Sequence, residues 1–131
     1  LSPDGDPLDA LVIARSPFLA GSVVRARPIA VLNLEDEHGG DEKLVCVPVD
    51  STFPYYSDVK EREDLPEIVM QQIEHFFTHY KDLEKDKWVR VGTWGGAEDA
   101  RHGYCTLRGT EHPCTQPFGK RGNFGLHHLT G

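Results

Sequence analysis

The sequence has little of what marks several large protein classes. No apolar run is long enough to span a bilayer, and no basic-then-apolar segment stands at the front, so neither a transmembrane helix nor a secretory signal is expected. Three cysteines, Cys46, Cys105 and Cys114, are an odd number at no recognisable spacing, which argues against a disulfide framework. Basic charge is scarce too. Against 21 Asp plus Glu stand 14 Lys plus Arg, and the net charge of −7 disfavours nucleic acid or an anionic membrane as a nonspecific partner. Methionine occurs once, at Met70, and the chain opens on Leu1, so a sequence without its natural start is the expectation. What remains is a chain of 131 residues, one domain by length, able to bury a core and expected in the cytoplasm.

Acid, by contrast, is plentiful and unevenly placed. In "SPDGDPLDA" three carboxylates, Asp4, Asp6 and Asp9, fall within six positions, directly before the apolar "LVIA". Aspartate holds its carboxylate close to the backbone; Pro7 stiffens the turn and Gly5 permits an unusual dihedral. Such rigidity is wasted on solvation but suits a preorganised site. A second acidic turn, with Asp36 and Asp41, is followed at once by Lys43. Two turns at strand ends can converge on one side of a sheet, and clustered oxygen donors suit a hard cation such as Mg²⁺. A bound cation also inverts the local field, so the negative net charge leaves an anionic substrate open. The spacing fits neither an EF-hand, whose sixth and twelfth positions from Asp4 would be Asp9 and Arg15, nor an aspartyl-phosphate motif, with Leu8 where Thr or Val is needed.

Around these turns the chain reads as strands. "LDALVIA" (8–14), "GSVVRARPIAVLNLED" (21–36) and "KLVCVPVD" (43–50) carry apolar alternation or apolar runs, with Gly39 and Gly40 reversing the chain between the last two. Strands joined without helices suggest an antiparallel sheet or barrel. "DLPEIVMQQIEHFFTHYKDLEK" predicts a helix with Asp64 as N-cap, Pro66 early and Glu67 in the first turn. Leu65, Val69, Ile73, Phe76, Phe77 and Tyr80 form its apolar stripe, for which core packing is the expectation. "KWVRV" (87–91) predicts a further short extended segment. His75 and His79, one turn apart, suit an interface or solvent equally.

From Gly103 the character changes. Residues 1–102 carry 20 acids against 11 Lys plus Arg; residues 103–131 carry one acid against three bases and hold six of the 13 glycines. We therefore divide the chain into a domain over 1–102 and a poorly ordered or foreign tail over 103–131. A zinc site from Cys105, His112, Cys114, His127 and His128 lacks the paired spacing that such sites use.

Taken together, "DGDPLDALV", "AGSVVRARPIAVL" (20–32), "DEHGGDEKLVCVP" (36–48) and the block from Asp64 to Val89 closely resemble the family I soluble inorganic pyrophosphatases of bacterial type, over about Ser2 to Ala100. The resemblance implies an α+β, mainly β fold: part of an OB-like five-stranded barrel with a packed C-terminal helix, the N-terminal part of the family domain being absent. It implies hydrolysis of pyrophosphate to two phosphates with several Mg²⁺ ions, Mn²⁺ being a possible substitute. In that frame Asp4, Asp9 and Asp41 ligate activating metals and Asp36 ligates a metal beside the substrate. Asp6 is the base that accepts a proton from the water, and Lys43, Tyr80 and Lys81 bind phosphate. A homohexamer is implied for the intact protein. Read without the resemblance, each has a structural alternative: Lys43 as a partner of Asp41, Tyr80 as a stripe residue with its hydroxyl in solvent, and Lys81 as a solvated helix-end cation. The alternative to the enzyme is a catalytically inactive, metal-binding fragment of the same family.

Overall fold

In the computed structural model the backbone is described for residues 8–107 and the side chains for residues 8–102. Asp4, Asp6 and all but the start of the expected tail, with its Cys/His set, lie outside the described residues. Four strands form one sheet: β1 (Ala10–Val12), β2 (Ala26–Asp36), β3 (Gly39–Pro48) and β4 (Val89–Gly95), in the order β1-β3-β2-β4. Two helices complete the chain's described part, α1 (Glu67–His79) and α2 (Ala97–Leu107).

β2 and β3 make a hairpin whose reversal falls at Glu37 and His38, with Gly39 at φ 120° just after it. β4 adds antiparallel to the other edge of β2. One expectation is corrected here: β1 pairs parallel to β3, Ala10 opposite Leu44, so the sheet is mixed. The long segment 13–25 between β1 and β2 carries the chain across to a strand that is not its neighbour, which a tight hairpin cannot do. Pro28 lacks an N–H, and the β2–β3 register slips beside it, leaving Ile29 unpaired in the ladder but fully buried.

The period of two divides the sheet into two apolar faces. Ala30, Leu32, Leu34, Val45 and Val47 lie on one and pack with Ile73 and Phe77 of α1. Val31, Leu44 and Cys46 lie on the other, covered by Ala100 of α2. The stripe on α1 is therefore real, with one correction: Phe77 is buried, but Phe76 is 40% exposed and stacks on Tyr80 instead of entering the core. The helix begins later than expected. Pro66 is the N-cap, and Asp64 belongs to a preceding 3-10 turn, where its carboxylate accepts from the Lys60 and Glu61 N–H groups at 2.8 and 3.0 Å. That turn also anchors α2, since Glu61 Oε2 accepts from the Ala97 N–H at 2.9 Å. Asp99 closes the same helix start by accepting from Gly96 N–H at 2.9 Å.

Candidate active site

Alternation along three strands brings the acidic residues to one face of the sheet. Asp41 and Lys43 are two apart on β3, and they lie opposite Leu34 and Leu32 of the α1-covered face. Asp36 follows Leu34 by two residues and so ends β2 on that same face, a diagonal neighbour of Asp41. Asp9 immediately precedes β1, and its carbonyl accepts from the Leu44 N–H at 3.1 Å, which places it beside Lys43. Lys81 comes from the turn that follows α1 and reaches back to the end of β2.

Two lysine-centred clusters result. Lys43 Nζ donates to Asp9 Oδ2 and to Asp41 Oδ2, the latter at 2.7 Å. Lys81 Nζ donates to Asp36 Oδ2 at 2.7 Å and to Glu37 Oε2 at 3.4 Å. The solvated alternative for Lys81 is thereby excluded: its side chain is 11% exposed and Asp36 is 13% exposed. Tyr80 stands beside it, its ring centroid 5.7 Å from Lys81 Nζ and its ring against Phe76 and Phe77. For Lys43 the pairing with Asp41 is present and Asp9 joins it.

The electrostatics follow from these contacts. Burial works against the Lys43 charge, but its hydrogen bonds to Asp41 and Asp9 outweigh it and raise its pKa above the ordinary lysine value. The same balance, with Asp36 as chief partner, raises Lys81. The hydrogen bond from Lys81 holds the Asp36 carboxyl below its usual range, and the His38 N–H, donating to Asp36 Oδ1 at 2.8 Å, lowers it further. Both lysines are thus charged at any pH near neutrality, and Asp36 is ionised.

Divalent cations suit this donor set. Among the described residues no three carboxylate, imidazole or thiolate groups converge on one point. Two carboxylates do converge on a cation, however: the Lys43 ammonium sits between Asp9 and Asp41 as a stand-in ion. Oxygen donors around a positive charge, with Asp9 half exposed, are what Mg²⁺ takes when it keeps part of its water. Chemically, the face offers hard ligands for cations and two ammonium groups for an anion.

Sequence reasoning missed Glu37. It follows Asp36 in the same acidic turn, is mostly buried, and shares Lys81 with it. Its position directly after Asp36 was the available signal.

Comparisons with known proteins follow the same lines. A sequence model described as inorganic pyrophosphatase matches residues 1–106. An inorganic pyrophosphatase of Pseudomonas aeruginosa is 56% identical over 101 residues, covering 77% of this chain and 58% of that protein. One from Aquifex pyrophilus is 53% identical over 100 residues, covering 76% and 56%. Among solved structures, the Helicobacter pylori inorganic pyrophosphatase superposes with a TM-score of 0.77 at 44% identity, covering 86% of this chain and 66% of that one. That from Thermus thermophilus gives 0.74 at 41%, covering 82% and 60%. The chain thus spans less than three fifths of the length of these two curated relatives. Its mainly β sheet with two helices is the architecture of these OB-like neighbours.

Proposed function

The chain belongs to the inorganic pyrophosphatase family, and from that premise we propose that it serves the Mg²⁺-dependent hydrolysis of pyrophosphate to two phosphates. The observation that carries this reading is the gathering of Asp9, Asp36, Asp41, Lys43 and Lys81 on one face at the end of the sheet. Pyrophosphate is highly anionic, and a protein of net charge −7 meets it through bound cations and ammonium groups.

In this reading Asp4, Asp9 and Asp41 hold activating metals and Asp36 holds one beside the substrate. Bound cations supply a water of lowered pKa and neutralise the leaving phosphate. The protein's own residues do the rest. Asp6 takes the proton of the attacking water. Lys43 and Lys81 donate to the oxygens of the transferring phosphoryl group, where negative charge develops. Tyr80 donates its hydroxyl to the same oxygens. Glu37 keeps Lys81 aimed at the site. Mg²⁺ is the proposed metal, with Mn²⁺ as its substitute; a cytoplasmic location and a homohexamer for the intact protein belong to the same proposal. No helix among the described residues is long and apolar enough to cross a membrane.

The alternative is a metal-binding piece that turns nothing over. Phosphate release from pyrophosphate by the purified chain decides between them. Release that needs Mg²⁺, stops with excess chelator and is lost in Asp6→Asn supports the enzyme. No release from a sample that binds Mg²⁺ supports the inactive piece.

A further inference from the structure

Lys43 is the one charged residue among the described residues that is buried. Its side chain is 8% exposed, while those of its partners Asp9 and Asp41 are 50% and 31% exposed. The ammonium therefore lies at the inner side of the two carboxylates, and their outer sides meet solvent. Asp41 and Lys43 share a face of β3, and the Asp9 carbonyl is tied to the Leu44 N–H, so the backbone fixes both acids around the lysine. Without a cation, two carboxylates held this way repel each other; the tethered ammonium removes that repulsion. A divalent cation that takes Asp9 and Asp41 as ligands needs the same two oxygens that Lys43 now holds.

We propose that Lys43 is the internal counter-ion of the metal site: it occupies the Asp9–Asp41 pair in the metal-free protein and is displaced from it when a divalent cation enters. The inference rests on the metal-binding reading given above and deepens it. It has two consequences. Lys43 competes with the cation and so weakens its apparent affinity. Its ammonium also becomes free to meet an anion only after the cation is in place, which orders the events as metal first and phosphate second.

Calorimetric titration of Mn²⁺ into the full chain, without pyrophosphate, tests the competition. Lys43→Met keeps the length of the side chain and removes its charge; Lys43→Arg keeps the charge. The expected result is a Kd at least about tenfold lower for Lys43→Met than for the unsubstituted chain, and no such tightening for Lys43→Arg. An unchanged or higher Kd in Lys43→Met, with the unsubstituted chain binding normally, overturns the proposal and leaves the proposed function standing. No binding by either chain overturns the proposed function, and the counter-ion role with it. A second measurement needs no variant. The side-chain ammonium protons of Lys43, held by two carboxylates, exchange slowly with water in the metal-free chain and lose that protection at saturating Mg²⁺. Protection that persists with Mg²⁺ bound overturns the displacement.

Discussion

Lys81 Nζ lies 2.7 Å from Asp36 Oδ2, and the two residues come from opposite sides of the chain's central segment, one from the end of β2 and the other from the turn after α1. The pair joins the turn after the helix to the end of β2 at the candidate site. Removing one partner leaves the other poorly solvated. Lys81→Met is expected to lower unfolding free energy by about 1–2 kcal/mol, less than a fully buried pair because the pair keeps some contact with water. Urea denaturation measures it; a loss below a few tenths of a kcal/mol contradicts the structural role.

The same pair sets a pH dependence. The folded pKa of Asp36 lies below its ordinary 3.8, so its contribution is present above that pH and is lost as pH falls through the lower folded value. The folded pKa of Lys81 lies above its ordinary 10.5, so its contribution is full below that pH and is lost as pH rises through the higher folded value. Stability should hold a plateau between about pH 4 and pH 10 and fall on both sides. Asp36→Asn should flatten part of the acid limb, and Lys81→Met part of the alkaline one. Unchanged limbs in both variants would contradict the assignment.

Phe76 and Phe77 are adjacent in sequence yet differ in burial, and substitution should separate them. Phe77 is 1% exposed in the main core, so Phe77→Ala should cost about 3–5 kcal/mol. Phe76 is 40% exposed, and Phe76→Ala should cost about 1 kcal/mol, mainly its ring contacts with Tyr80 and Phe77. Equal losses in denaturant melts would place both rings in the core.

How far the sequence foretold this fold depends on where its rules are local. The apolar alternation of β2 and β3 and the stripe of α1 are visible because burial imposes their periods directly. Phe76 is not, because a stripe wide enough to include both phenylalanines does not say which one meets the sheet. The start of α1 misleads for a similar reason: Asp64 has the chemistry of an N-cap, but Lys60 and Glu61 N–H groups reach it first. The parallel pairing of β1 is a long-range choice that no local pattern records. At the site, the charge density and the second acidic turn single out Asp9, Asp36, Asp41 and Lys43. That Lys81 joins Asp36 is tertiary, set by where α1 ends.

Gly92 offers a purely steric test. In β4, Gly92 and Thr93 together face Asn33 of β2, whose side-chain amide donates to the Thr93 carbonyl at 3.1 Å. A methyl group on Gly92 would stand 2.8 Å from the Asn33 carbonyl oxygen, a backbone atom that cannot turn aside. Gly92→Ala should therefore destabilise by about 1–3 kcal/mol. A neutral substitution would mean that the β2–β4 irregularity relaxes freely.

Cys46 lies in the second core, and burial pushes its thiol up to about 12. In a chain carrying Cys105→Ser and Cys114→Ser, alkylation at pH 8 should proceed only at the rate of unfolding. Rapid labelling of the native protein would contradict the burial.

The central claim is that the carboxylates crowd one face because they hold divalent cations. Thermal melting with and without Mg²⁺ tests it without any need for turnover. Millimolar Mg²⁺ should raise Tm by ~5 °C or more, and Asp9→Asn together with Asp41→Asn should abolish the rise. A Tm that does not move with Mg²⁺ in the unsubstituted chain would contradict the account.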